Sequence, residues 1–257
     1  MKIFLQSIVH LSIAALLSSA SINAFSTDTS LPAHPAIKRA FNLPPSADLT
    51  YTIRARQSGL SISGDAAVKW QADDKVFSVE ATTRAMILGK ILEAKSEGKI
   101  DAYGLAPLQF TDKRFHKNST TTTFNRDAAN GTVTFSQSDA SYPIKGGEQD
   151  RTSIVWQLIG VARATPKTFK PGSSWVFFVA GQRDAELWTF KIVSREKIST
   201  GMGEVDAIHV YREPPPDATD QRLDIWLAPS LEWYPVRIRF TDSNNDFVEQ
   251  TLDRINK

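Results

Sequence analysis

The amino-acid sequence predicts a mainly β protein: a single antiparallel sheet, curled or barrel-like, carrying one amphipathic helix at about 150–163. Three observations predict it. Polar and apolar residues alternate with period two in many short stretches, turn-type residues separate those stretches at close intervals, and only one segment has helical spacing.

The first strand is expected from Ala47, where Leu49, Tyr51, Ile53 and Ala55 alternate with Thr50, Thr52, Arg54 and Arg56, the pattern of a half-buried strand. Similar runs follow at Ser61–Trp70, Lys75–Arg84, Leu92–Ile100, Leu108–His116, Thr120–Asn125 and Thr132–Gln137. Between them stand Ser58-Gly59, Ala72-Asp73-Asp74, Tyr103-Gly104 and Asn130-Gly131, all of turn composition. Asn130-Gly131 is the sharpest, because both residues tolerate the positive φ of a type I′ hairpin. Next comes the helix. Asp150 is placed to cap it, Ile154, Val155, Leu158, Ile159, Val161 and Ala162 share one face, and Pro166 stands beyond its end. Trp156 falls off that stripe. Strands resume at Ser174–Ala180, Leu187–Arg195, Val205–Arg212, Gln221–Leu227, Trp233–Thr241 and Phe247–Arg254, with a rigid Pro214-Pro215-Pro216 loop between two of them.

Ahead of the strands, Met1-Lys2, a largely apolar Ile3–Leu17 run and the small residues up to Ala24 match the three regions of a secretory signal peptide, with a cut expected after Ala24. The expected organisation is a signal peptide over 1–24, a Pro-rich extended lead-in over 25–46, and one β-rich domain over 47–257. The expected location is the periplasm. The chain has no cysteine, which excludes disulfides, thiolate chemistry and a lipidated cysteine behind the signal. With 30 Lys and Arg against 28 Asp and Glu, interspersed, no field draws the protein to nucleic acid.

No motif identifies a reaction. Three histidines follow the signal region, His34, His116 and His209, and none has a metal-ligand spacing; no cofactor and no metal are expected. Acidic pairs occur at Glu148/Asp150, Asp184/Glu186 and among Asp217, Asp220 and Asp224, where they read as solvated turn residues. Were the chain an enzyme, Asp150, Asp224 and His209 would be the first residues to substitute. For binding, the candidates are aromatic and apolar: Trp156, Trp188 and Trp226 among six tryptophans, and Met86, Ile87 and Leu88 in the apolar run Ala85–Leu92. That run either plugs one end of the sheet or exposes a patch for a lipid or a protein.

Ser96-x-Gly98-x-Ile100 followed by Gly104-Leu105-x-Pro107, then Gln149-Asp150-x-x-Ser153, then Trp226-Leu227-Ala228-Pro229 leading to Pro235-Val236-Arg237-Ile238 resemble domain-of-unknown-function family 3108. The resemblance runs from about Leu49 to the end of the chain. It implies an exported, largely β bacterial protein and carries over no catalytic residue. Physically, Gly104 would supply an unusual φ and Pro107 fix the exit of a turn. Val236, Ile238 and Phe240 would face the core, with Arg237 and Arg239 on the opposite side. Two functional expectations stand together: a soluble binding or carrier protein for an apolar or lipid-like ligand, and a cell-envelope structural or assembly factor working through protein contacts.

Overall fold

The computed structural model describes residues 34–127, 130–214 and 221–256. The expected signal peptide, the first part of the lead-in, Pro215, Pro216, Asp217 and Asp220 lie outside the described residues. Fifteen strands form one sheet: β1 Ala47–Gln57, β2 Leu60–Ala72, β3 Val76–Ala85, β4 Gly89–Asp101, β5 Gly104–Arg114, β6 Thr120–Asn125, β7 Thr132–Phe135, β8 Ser138–Pro143, β9 Gln149–Asp150, β10 Ser174–Ala180, β11 Ala185–Thr200, β12 Gly203–Glu213, β13 Gln221–Leu227, β14 Pro235–Asp242 and β15 Phe247–Asn256. The order runs β8 to β1, then β15 down to β9, so the first and last strands of the main meander lie side by side at the centre. All pairings are antiparallel except the two-residue β9–β10 contact. The sheet curls but is not closed by backbone pairing: β8 and β9 are its edges.

Side chains close the curl instead. Thr122 Oγ1 donates to the Gly181 carbonyl at 2.7 Å, Ser96 Oγ to Asp150 Oδ2 at 2.5 Å, and Gln149 Nε2 to the Leu105 carbonyl at 2.7 Å. A small apolar cluster backs this seam, with Phe110, Phe124, Val133 and Phe135 from one arm against Phe178, Ala180 and Ala185 from the other.

The one α-helix among the described residues, α1 (Ser153–Ala164), lies inside the curl. The predicted stripe is buried except for the half-buried Val155, and burial extends beyond it: nine helix residues are buried, Trp156 and Gln157 included. Trp156 stacks on Trp70 of β2 with ring centroids 4.3 Å apart and planes 8° from parallel. The helix is enclosed on nearly all sides because the lead-in crosses it. Asn42 N–H donates to the Gly160 carbonyl, Trp70 Nε1–H to the Pro44 carbonyl, Tyr234 Oη–H to the Pro45 carbonyl, and Arg39 Nη2 to the Val176 carbonyl. Phe41 packs so close to Gly160 that a Cβ there would lie 2.1 Å from its ring, so only glycine fits. Residues 34–46 therefore form a strap across the core, anchored by buried His34 and Pro44 and half-buried Phe41 and Leu43, with its other side in solvent.

Two local readings are corrected. Gly131 does not take a positive φ; a Cβ on it would stand 2.9 Å from the Asn125 carbonyl oxygen, so close approach rather than a type I′ turn requires the glycine. Gly104 does have φ +102°, but Pro107 lies inside β5, paired with Gly98 next to a register shift at Glu97/Gly98, rather than at the exit of a turn.

Candidate functional site

The β3–β4 turn is Met86-Ile87-Leu88. It is held tightly: Met86 N–H bonds the Ser63 carbonyl at 3.0 Å, Leu88 N–H the Ala85 carbonyl at 3.2 Å, and Gly89 supplies φ +70°. A rigid turn that presents Met86 82% exposed and Ile87 95% exposed cannot be plugging the sheet. The plug reading of this run fails, and the exposed-patch reading describes the geometry. The reason is length: β3 and β4 continue beyond the part of the sheet that α1 covers, so the tip has nothing to pack on.

Neighbouring elements extend the patch. Phe115 N–H bonds the Ile91 carbonyl at 2.9 Å, bringing the half-buried Phe115 of the β5–β6 loop beside the base of the tip. Leu60, at the start of β2, is also exposed. Arg84 pairs with Asp65 at 3.7 Å and Lys90 with Glu93 at 2.7 Å, while Lys113 and Lys117 are exposed on the adjoining strand and loop. The Lys90 hydrogen bond holds the Glu93 carboxyl below its ordinary range.

The tryptophans do not join this surface. Trp156 is in the core against Trp70. Trp188 is buried, donates Nε1–H to Glu186 at 2.8 Å and carries the Arg212 guanidinium 4.1 Å above its ring. Trp226 is buried, donates to Glu196 at 2.9 Å and stacks on His209 at 4.4 Å. The expected binding residues thus separate into an exposed tip and three packed indoles.

The polar residues considered for catalysis are brought together in part. His209 Nε2 is 2.7 Å from Asp224 Oδ1 and its Nδ1 is 3.1 Å from Glu196 Oε1, so both ring nitrogens face carboxylates. Burial acts to raise the carboxyls of Asp224 and Glu196, but hydrogen bonds outweigh it and hold both low: His209 and Arg222 for Asp224, and Ser194, Trp226 and His209 for Glu196. Asp150 stands elsewhere. Its Oδ1 accepts from the N–H groups of Thr152 and Ser153 at 2.8 Å each, fixing the turn that leads into α1, whose N-cap position is Thr152 rather than the expected Asp150, and burial pushes the Asp150 carboxyl up.

Glu148, read from sequence as a solvated turn residue, is wholly buried. Its Oε1 accepts from His34 at 2.7 Å and from the N–H groups of Lys145 and Gly146, and its Oε2 from Arg126 at 2.9 Å. Burial would raise the carboxyl; those donors overcome it and bring it down to about 2. The signal for this cluster was the Gly146-Gly147 pair, both at positive φ, which lets backbone amides fold round the carboxylate. It ties the strap, the β6–β7 loop and the seam together. Of the other acids, Glu186 binds Arg212 at 2.8 Å and Asp184 is exposed.

Among the described residues, no group of three or more His, Asp or Glu could hold a metal ion, and no helix is long and apolar enough to cross a membrane. A concavity of about 540 Å³ lies between the β1–β2 and β14–β15 turns, but Arg56, Ser58, Asn244, Asn245 and Asp246 line it, a polar set unsuited to an apolar ligand.

A curled antiparallel sheet wrapped against one buried helix defines a β-barrel-like protein. The chain belongs to the DUF3108 family of proteins of unknown function, which matches residues 49–253. Among solved structures it is similar to a β-barrel-like protein of domain of unknown function DUF1849 from Brucella abortus, at 12% identity and TM-score 0.54, over 84% of this chain and 99% of that one. A protein with a YmcC-like fold from Bacteroides fragilis matches more loosely, at 10% identity and TM-score 0.34, over 86% and 100% of the two chains. No curated protein matches the chain.

Proposed function

We propose that this is an exported, periplasmic binding factor whose partner meets it on the outside, at the Met86–Leu88 turn, rather than a carrier that encloses a ligand. The signal-peptide pattern of residues 1–24 supports the location. One observation carries the binding mode. Trp70, Trp156, Ile159 and Tyr234 occupy the centre of the curl as packed core, whereas Ile87 is 95% exposed on a turn pinned by hydrogen bonds. A soluble chain that holds bulky apolar residues so far out of its core, on a rigid tip, is built to bury them against something else.

The test is photocrosslinking in cells from a probe at Ile87, with a probe at Met202 as control. Met202 is also an exposed apolar residue, on the β11–β12 turn. The expected result is a discrete adduct from Ile87 that Met202 does not give. Equal labelling from both, or none from either, would count against the proposal.

A further inference from the structure

The chemistry around the tip names the partner more closely, and this step rests on the contact reading above. We infer that the occupant is the surface of an anionic lipid bilayer, entered by the Met86–Leu88 turn. Three consecutive apolar residues form the turn, and the flanking strand positions are charged: Arg84 before it and Lys90 after it. That is the arrangement of a short interfacial wedge, apolar at its point and ionic where headgroups would lie. Phe115, hydrogen-bonded to Ile91 through its backbone, widens the apolar point on one side.

Charge decides between a bilayer and an apolar protein groove. At the tip-proximal ends of the elements bearing or adjoining the tip, Arg84, Lys90, Lys113, Arg114 and Lys117 stand against Asp65, Glu93 and Asp112. Each of those acids already has a basic partner: Asp65 with Arg84, Glu93 with Lys90, Asp112 with Arg114. Five cations against three anions leave an excess of two positive charges, and Lys113, which lies across the ladder from Glu93, and Lys117 are both exposed. Basic residues beside an apolar wedge attract a negatively charged lipid surface, an interaction that salt screens.

The experiment is flotation of the purified mature chain with vesicles of phosphatidylethanolamine and phosphatidylglycerol, and separately with phosphatidylcholine alone. Binding is expected to the anionic vesicles and to weaken as salt rises. Ile87→Asp should lower it roughly tenfold or more through the lost apolar contact. Lys113→Glu and Lys117→Glu should each lower it by about fivefold or more. Met202→Asp should leave it unchanged, and circular dichroism of each variant confirms that it is folded. Binding that is equal on neutral vesicles, or that survives Ile87→Asp, overturns the inference. If vesicles fail while the Ile87 probe captures a protein in cells, the lipid assignment falls and the contact reading stands. If both fail, both fall.

Discussion

The inner and outer halves of the same strands behave as two different materials. In β2, Trp70 is fully buried while Leu60, ten residues earlier, is exposed. In β3, Val79 is fully buried, and the turn that follows leaves Met86 and Ile87 in solvent. β4 repeats this in reverse, from exposed Gly89 and Lys90 to buried Ser96 and Gly98. Backbone pairing runs through both halves, with one register shift at Thr83/Arg84 in the β3–β4 ladder. The helix and the strap cover the inner half, Thr83 and Ala85 stay buried up to the base of the turn, and the cover ends only beyond Ala85. Strand pairing sets the reach of the sheet, and burial sets where its stability resides.

Substitutions should separate the two halves, beginning with the largest effect. Trp156→Ala removes one member of the central indole stack and should destabilise folding by about 3–5 kcal/mol in urea titration. A loss below 1 kcal/mol would mean that the interior is not the tight core described.

Glu148→Gln should cost about 3 kcal/mol at neutral pH, because the carboxyl is lowered from 4.5 to about 2. The sign follows from that depression. The contribution is complete above pH 4.5, the unfolded value, and is lost as pH falls through about 2. Stability measured against pH should therefore converge for wild type and Glu148→Gln between those limits; parallel curves would contradict the role given to Glu148.

Asp150→Ala removes the acceptor for two N–H groups at the start of α1 and should cost about 0.5–2 kcal/mol, read by thermal unfolding. Smallest of all, Ile87→Asp should change stability by less than about 0.5 kcal/mol, since the residue packs on nothing. A large destabilisation there would place the tip in the core after all.

Much of this architecture is legible in the sequence. Period-two alternation locates β1 to β7 and β10 to β15 to within a few residues, and Ser174–Ala180 has the same bounds in the structure. β8, Ser-Asp-Ala-Ser-Tyr-Pro, escapes notice because its small polar residues have turn composition; it is an edge strand, where partner pairing rather than burial selects the residues. The two-residue β9 has no period to read.

The site was legible as residues but not as geometry. Alternation looks the same in a covered and an uncovered half-strand, so it could not say whether Met86–Leu88 plugs or projects. Tryptophan is equally at home in a pocket or a core, and tertiary packing placed Trp156, Trp188 and Trp226 in the second. Glu148 was misread for the opposite reason. Its neighbours Lys145, Gly146 and Gly147 have turn composition, yet the turn folds inward and encloses the carboxylate.

The most direct test of an external contact surface on a filled sheet is labelling in cell envelopes with a photoactivatable lipid analogue, followed by peptide mapping. Label on the peptide spanning 85–92 and at Phe115, with none on the helix, is the expected result. Label on the helix, at Trp156 or Ile159, would show that the interior opens to take a ligand and would contradict the account.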